Sequence, residues 1–156
     1  KMNKNNFQKN FKVSSGRSNV STQDINELAR VMSKQSRFNL DPKIKKYSTK
    51  IYKKWLQNSL FENYAYDFVL SLKENRMVGF CSLIKKEKAL RIDLIGISKK
   101  YQNKGIGSAL LREILSKYPG QKIIVGTQAN NLAAINFYIN NGFRPYSFIQ
   151  IFHKHT

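Results

Sequence analysis

Residues 102–108, Gln-Asn-Lys-Gly-Ile-Gly-Ser, constrain the fold of this chain more than any other segment. They follow an apolar run at residues 94–97 and precede a stretch with apolar residues at helical spacing, which predicts a strand, a short loop and a helix. The two glycines let a ligand approach the backbone without Cβ obstruction. Free N–H groups at a helix start, at the positive end of the helix dipole, attract anions. The segment is therefore a candidate diphosphate site.

Two other phosphate-binding patterns do not fit this segment. A dinucleotide fingerprint needs a third glycine at position 110 and an acidic residue about 20 residues later, but position 110 is Leu and residues 121–130 contain no Asp or Glu. The P-loop pattern fails because no Gly-Lys-Ser/Thr follows. Glycines also serve tight turns before helices for steric reasons, so the loop alone leaves a structural role open.

A second segment, residues 131–143, contains Asn-x-x-Ala-x-x-x-Tyr-x-x-x-Gly-Phe and is separated from the glycine loop by one predicted strand. Together with Gln-x-x-Gly-x-Gly at residues 102–107, it resembles the two signature patterns of the GNAT superfamily of acetyl-CoA-dependent N-acetyltransferases. The resemblance implies an α+β fold with a mixed, mostly antiparallel central sheet flanked by about four helices. It also implies acetyl-CoA as cosubstrate and no metal.

The same resemblance implies which residues hold acetyl-CoA. The basic glycine loop suits the pyrophosphate of coenzyme A. Gly96 is expected to let its strand bulge and turn amides toward the pantetheine arm and the thioester carbonyl. Asn131 is a cofactor contact in this interpretation and is also a favoured helix N-cap residue. The implied cofactor residues are Ile95, Ile97, Gln102, Asn103, Lys104, Gly105, Gly107, Ser108 and Asn131.

Acyl transfer to an amine needs a proton donor for the leaving thiolate and a base for the attacking amine. Tyr138 matches the family's proton donor, and the alternative is a helix residue whose ring packs against the sheet. His153 titrates in the range that suits the base, although a histidine on a terminal strand also serves structure, and Asp93 is a rival base. Cys81 lies in an alternating strand and is expected in the core, so we predict direct transfer without an acetyl-enzyme.

The first half of the chain carries a narrower resemblance. Ser-Arg-Phe at residues 36–38, Tyr-x-x-Trp-x-x-Asn at 52–58 and Phe-His-Lys at 152–154 resemble the TDP-fucosamine acetyltransferase group. This resemblance implies an acceptor that is the 4-amino group of a nucleotide-activated 4-amino-4,6-dideoxy sugar. The residues that would hold its phosphate, rings and hydroxyls are Arg37, Phe38, Trp55 and Asn58. Their structural alternatives are a surface charge, core packing and a helix-end hydrogen bond.

The charge of the chain raises the question of its partners. It carries 28 Lys and Arg against 9 Asp and Glu, a formal net charge of +19. The excess is spread along the chain, which favours steering of polyanionic substrates, or a lysine-rich proteome, over nucleic-acid binding. Other interpretations stay open: a GNAT enzyme acting on a protein, peptide or small-molecule amine, a non-catalytic coenzyme A-binding module, and a basic nucleic-acid-binding protein.

Composition and periodicity divide the chain into a flexible N-terminal segment, residues 1–20, with a short strand near residues 11–13, and a single domain at residues 21–156. No segment is apolar enough to span a membrane and the N-terminus lacks a secretory signal, so the expected location is the cytoplasm; a homodimer is left open. We predict helices at residues 21–36, 44–61, 131–141 and from the glycine loop to 118, and strands at 66–72, 77–85, 90–98, 122–127 and 148–155.

Overall fold

A five-stranded sheet forms the middle of the structure, a computed structural model that describes residues 11–14 and 20–150. Its strands lie side by side in chain order, antiparallel from the first to the fourth, and the fifth pairs parallel to the fourth. The strands are β1 Lys12–Ser14, β2 Asp67–Lys73, β3 Arg76–Lys86, β4 Ala89–Ile97 and β5 Ile123–Val125. The sheet confirms the predicted mixed, mostly antiparallel arrangement.

Helices flank this sheet, and the predicted α+β class is confirmed. Within the described residues they are α1 Thr22–Lys34, α2 Arg37–Leu40, α3 Ser48–Phe61, α4 Ile106–Ser116 and α5 Leu132–Asn140. α1 begins where Ser21 Oγ accepts the Asp24 N–H at 3.1 Å as an N-cap. The pattern does not predict the short α2, which Ser36 caps by accepting the Asn39 N–H at 3.2 Å. α3 begins at Ser48, later than predicted, because a 3-10 turn precedes it.

Each face of the sheet buries its own apolar cluster, because successive side chains of a strand point to opposite faces. We call them the α4 face and the α3 face. The α4 face packs against α4 and buries Val69, Val78, Cys81, Leu83, Leu90, Ile92, Ile106, Leu110, Leu111, Ile114 and Tyr138. The α3 face packs against α1 and α3 and buries Ile25, Leu28, Ala29, Leu56, Leu60, Phe68, Leu70, Met77, Phe80 and Leu94. The sheet therefore separates two layers of the molecule.

β4 contains a β-bulge at Asp93. The register with β3 skips this residue, since Ile92 and Leu94 pair with consecutive residues of β3. The bulge reverses the alternation of side chains, so that Ile92 packs on the α4 face and Leu94 on the α3 face. The sequence-based expectation of a bulge at Gly96 is wrong, because Gly96 pairs regularly with Phe80. The bulge lies three residues earlier.

The predicted C-terminal strand at residues 148–155 is absent where it falls within the described ranges. Residues 143–150 form no regular element, and Phe148 is 79% exposed. Among the described residues β5 pairs only with β4, so residues 148–150 have no strand partner. The rest of the predicted strand lies outside the described residues. None of the described helices combines the length and apolarity needed to cross a bilayer.

Candidate functional site

The glycine loop follows a tight path from β4 into α4. After a 3-10 turn, Lys99–Tyr101, the Gln102 side chain donates from Nε2 to the Ile97 carbonyl at 3.0 Å. Asn103 and Gly105 adopt positive φ angles of 58° and 77°, which turn the chain sharply before the helix. A Cβ built on Gly105 would meet nothing within 4 Å. The backbone conformation therefore requires this glycine, and the space in front of it is open.

The first turn of α4 carries no side-chain cap. α1, α2 and α5 each begin with a side-chain oxygen that accepts a backbone N–H, from Ser21, Ser36 and Asn131 respectively, whereas α3, like α4, has no such cap. The N-cap of α4 is Gly105, which has no side chain for this purpose. Its first N–H groups lie at the positive end of the helix dipole, beside the exposed Lys104. This arrangement is typical of a diphosphate site.

β4 has a free edge beyond Ile92. Among the described residues β5 pairs with β4 only as far as that position. Ser98 donates its N–H to the Val78 carbonyl of β3 at 2.9 Å. Because successive peptide groups of a strand point to opposite edges, Ile95 and Ile97 turn their amides to the free edge. These amides are available to a ligand that lies between the two strands.

α5 packs its aromatic residues against the start of α4. A Cβ built on Gly107 would come within 3.0 Å of Phe137 Cε2, so Gly107 is needed for close helix packing, in contrast to Gly105. Ser108, in the same turn of α4, is half-buried. Tyr138 follows Phe137 and buries its ring in the α4-face cluster, with 8% of the residue exposed. The two sequence motifs therefore meet in space.

The Gly-Phe pair of the second motif ends α5 and holds Tyr138 in place. Gly142, with φ of 88°, lets the chain reverse so that the Phe143 N–H reaches the Tyr138 carbonyl at 3.0 Å. The Phe143 ring also meets the Tyr138 ring edge-on, with centroids 5.7 Å apart. At the other end of α5, Asn131 Oδ1 accepts the Ala134 N–H at 3.2 Å, which confirms its predicted capping role.

The environment of Tyr138 keeps its hydroxyl protonated. Burial raises the pKa of Tyr138 above its ordinary value, and the neighbouring Cys81 raises it further. A protonated hydroxyl can donate a hydrogen bond or a proton to a developing anion. Cys81 is buried, as predicted, and burial also raises the pKa of its thiol. A buried neutral thiol is a poor nucleophile.

On the α3 face, aromatic residues of α2 and α3 form a row. The Phe38 ring lies 6.3 Å from the Tyr52 ring, and the Tyr52 ring lies 5.5 Å from the Trp55 ring, centroid to centroid. The exposed Arg37 guanidinium lies 5.0 Å from the centre of the Phe38 ring. We call Phe38, Tyr52 and Trp55 the aromatic row. Sequence reasoning assigned no role to Tyr52, although its spacing from Trp55 puts both on one side of a helix.

The inner end of the aromatic row reaches the bulge of β4. The indole N–H of Trp55 donates to Asp93 Oδ2 at 2.7 Å, and Arg91 Nη2 donates to Asp93 Oδ1 at 2.8 Å. The Asp93 side chain is 1% exposed. Donors therefore occupy both oxygens of Asp93, which leaves the carboxylate badly placed to take a proton from an acceptor amine.

Two other predicted residues add less to the site. Asn58 lies on α3 one turn after Trp55, and its backbone carbonyl accepts the N–H groups of Glu62 and Tyr64 at 3.0 and 3.2 Å, which ends the helix. Its side chain is half-buried. His153 lies outside the described residues. Within the described ranges, His, Cys, Asp and Glu side chains form no group of three or more that could hold a metal ion.

The sequence matches a family model described as "Acetyltransferase (GNAT) family" over residues 29–143. The chain belongs to this family. The matched region contains the glycine loop, the free edge of β4 and Tyr138, and this GNAT protein is an acetyl-CoA-dependent N-acetyltransferase. No curated protein sequence matches the acetyltransferase at a significant level.

Solved structures share the fold of this acetyltransferase. PaiA N-acetyltransferase from Thermoplasma acidophilum, in complex with coenzyme A, is 19% identical over 86% of this chain and 89% of its own, with a TM-score of 0.63. The GNAT family protein SP0256 from Streptococcus pneumoniae TIGR4 is 18% identical over 92% and 98%, with a TM-score of 0.61. The Escherichia coli ribosomal-protein-S18-alanine N-acetyltransferase is 19% identical over 88% and 79%, with a TM-score of 0.60. These likenesses concern the fold alone.

Proposed function

We propose that this acetyltransferase transfers the acetyl group of acetyl-CoA directly to the 4-amino group of a nucleotide-activated amino-deoxy sugar. The observation that carries the proposal is the aromatic row, which begins beside Arg37 and ends at Asp93, next to the free edge of β4. Aromatic faces suit sugar and base rings. A ring stacked on the row would bring its amine toward the amides of Ile95 and Ile97.

The geometry of the cofactor side supports a defined position for acetyl-CoA. The uncapped first turn of α4 and Lys104 suit the pyrophosphate. The free edge at Ile95 and Ile97 suits the pantetheine arm, whose amides can bond to a strand as a neighbouring strand does. An amide on that edge also stabilises the negative charge that develops on the thioester oxygen. In this arrangement Gln102 and Asn103 shape the loop.

The reaction forms a C–N bond and breaks a C–S bond. The neutral amine attacks the thioester carbonyl carbon, the carbonyl oxygen gains negative charge, and the thiolate then leaves. Tyr138 gives its proton to the departing sulfur and regains one from solvent. The surplus proton of the amine passes to solvent or to His153. The burial of Cys81 supports direct transfer, without an acetyl-enzyme.

Charge favours an anionic acceptor over a cationic one. Asp93, the carboxylate bonded to the aromatic row, is already paired with Arg91, so it does not offer a free negative charge to a lysine or polyamine. The exposed Arg37 has the planar fork that binds phosphate. A net charge of +19 also speeds the encounter with polyanionic substrates. We place the reaction in the cytoplasm, where acetyl-CoA and nucleotide sugars are found.

The proposal is tested by coenzyme A release from acetyl-CoA, followed with a thiol reagent. The acceptors are TDP- and UDP-linked 4-amino-4,6-dideoxy sugars, with lysine peptides and polyamines for comparison. We expect release with an amino sugar, and a higher KM for that sugar in Arg37→Gln than in the matched variant Arg30→Gln, an exposed arginine of α1. Release only with peptides or polyamines would overturn the acceptor and keep the cosubstrate. No release with any acceptor would favour a non-catalytic coenzyme A-binding module.

A further inference from the structure

The Asp93 carboxylate is the point where the aromatic row and β4 meet. It belongs to the residue that has no partner in the β3 ladder, and it receives hydrogen bonds from Trp55 of α3 and Arg91 of β4. We infer that Asp93 is a positioning residue that couples the aromatic row, where the acceptor would bind, to the Ile95 and Ile97 amides on the free edge of β4, where the thioester would bind. This inference deepens the proposed function and rests on it.

The bulge puts two consecutive residues of β4, Asp93 and Leu94, on the α3 face. A bulge leaves one residue unpaired and re-aims its side chain. Asp93 follows Ile92, which packs on the α4 face, so the Asp93 side chain lies on the α3 face, where Trp55 Nε1 is 2.7 Å from Oδ2. Asp93 is also only two residues before Ile95, whose amide faces the free edge. A small movement of the bulge therefore changes both the direction of that amide and the position of the indole.

The surroundings of Asp93 suit an anchor better than a base. Its side chain is 1% exposed, and Arg91 neutralises the buried charge at 2.8 Å. A buried carboxylate needs such a partner and good hydrogen bonds to remain charged. Trp55 uses its single N–H donor in the other hydrogen bond, and its ring contacts Tyr52. The carboxylate thus fixes the tilt of the last ring of the aromatic row.

The first test is kinetic and uses Asp93→Asn. An amide offers one acceptor oxygen to two donors, so either Trp55 or Arg91 loses its bond. With the TDP-linked amino sugar as acceptor, we expect kcat/KM to fall roughly 10- to 100-fold because the acceptor is misplaced, while the Kd for acetyl-CoA stays within about twofold of wild type. Unchanged kcat/KM for the acceptor, or an equal loss of acetyl-CoA affinity, would overturn the inference.

A matched control separates positioning from general damage to the fold. Asp67 is a partly buried aspartate that, like Asp93, receives bonds from an aromatic side chain and a cation, Tyr118 Oη at 2.8 Å and Lys117 Nζ at 2.9 Å. These partners follow α4, on the opposite side of the sheet from Trp55. Asp67→Asn should lower stability and leave acceptor kinetics close to wild type. A similar kinetic loss in both variants would overturn the inference.

The second test needs no acceptor, because Trp55 is the only tryptophan of the chain. Its indole N–H gives one NMR resonance, which we expect to shift when acetyl-CoA binds to wild type. In Asp93→Asn the resonance should change in the free protein and should no longer respond to acetyl-CoA. No response in wild type, or the same response in the variant, would overturn the coupling. This titration gives its answer even if every amino sugar fails as an acceptor.

Trp55→Phe provides a check if Asp93→Asn does not fold. The phenylalanine keeps a ring against Tyr52 and removes only the N–H donor and the second ring. We expect the same split, a lower kcat/KM for the acceptor with nearly unchanged acetyl-CoA affinity. Wild-type acceptor kinetics in Trp55→Phe would show that the bond to Asp93 does not position the acceptor.

Discussion

Met32 of α1 lies directly over Gly96 of β4. A Cβ built on Gly96 would come within 2.5 Å of Met32 Cε and 2.7 Å of its Cγ. The glycine therefore serves close approach of a helix to the strand, beside the amides of Ile95 and Ile97. This contact, rather than a bulge, explains the glycine at this position.

Gly96→Ala should destabilise the fold, because the new methyl group displaces Met32. Overpacking of this kind costs about 1–3 kcal/mol. In the double variant Gly96→Ala/Met32→Ala the clash is gone, so the total loss should be smaller than the sum of the two single losses. Urea unfolding of the three variants measures this coupling. Losses that simply add would show that the Met32 side chain moves away at no cost.

Gly105→Ala should weaken acetyl-CoA binding. The residue has φ of 77°, a conformation that costs an alanine about 1–2 kcal/mol, so α4 would begin with altered amide directions. Gly120, with φ of 75° and nothing near its Cβ position, is a matched control in the turn before β5. Both variants should lose similar stability by thermal unfolding, but only Gly105→Ala should raise the Kd for acetyl-CoA. Equal Kd values would exclude the loop from the cofactor site.

Tyr138→Phe should lower turnover by about 100-fold, the scale of a lost general acid, with little change in acetyl-CoA affinity. The pKa of Tyr138 is raised by burial, so its hydroxyl remains protonated through neutral and mildly alkaline pH. Wild type should therefore show no loss of kcat from Tyr138 ionisation below about pH 10, the ordinary pKa of a tyrosine. The exposed Tyr146→Phe is the control. Equal turnover in Tyr138→Phe and wild type at every pH would leave Tyr138 with a packing role only.

Asp24→Asn should reduce stability at neutral pH. Burial tends to raise the pKa of Asp24, but hydrogen bonds from Arg76, the Met77 N–H and Ser21 outweigh it and set the pKa below the ordinary 3.8. Because the folded pKa is depressed, this stabilisation is fully present above pH 3.8 and is lost as pH falls through the folded pKa. We expect a loss of about 1–2 kcal/mol at pH 7.

The ion pair of Asp24 with Arg76 also predicts how the stability difference between wild type and Asp24→Asn depends on pH. Urea unfolding of wild type and Asp24→Asn should give curves that converge as the solution is acidified below pH 3.8. Glu27→Gln is a control, because Glu27 lies 4.0 Å from Arg76 in an exposed pair that contributes little. A constant difference between wild type and Asp24→Asn down to low pH would assign the effect to packing instead of charge.

Cys81→Ala should keep most of the transfer activity, because the thiol is buried and burial raises its pKa. The native protein should not react with a thiol reagent on the timescale of the assay, whereas the unfolded protein should react at one site. This result also means that the enzyme's own thiol does not add to the coenzyme A signal. Rapid labelling of the native protein, or an acetylated cysteine trapped during turnover, would contradict direct transfer.

Local signals in the sequence predicted the helices and strands that build the cofactor side. The glycine loop, the N-cap at Asn131 and the Gly142 turn depend on residues close together in the chain, so short patterns identify them. α2 was not predicted because a helix of one turn is too short to show the helical periodicity of apolar residues. The expected strand at residues 148–155 is not formed at residues 148–150, because a strand needs a neighbouring strand, which a local pattern does not supply.

The bulge at Asp93 could not be predicted because it depends on the register of β3 against β4. A pattern of apolar residues in one strand does not fix where two strands slip by one residue. The bond between Trp55 and Asp93 joins residues 38 positions apart and follows from that register. Both residues are candidates from the sequence, and only the fold shows that they are hydrogen-bonded to each other.

The separation of the two apolar clusters by the sheet has a consequence for how such enzymes diversify. In the proposed arrangement, mutations on the α3 face alter the aromatic row without disturbing the packing of α4 and Tyr138 on the other side of the sheet. β4 takes part in both sides of this arrangement, through its free edge and through Asp93. A lineage can therefore change what it acetylates while it inherits the acetyl donor site intact, provided that this single strand keeps its shape.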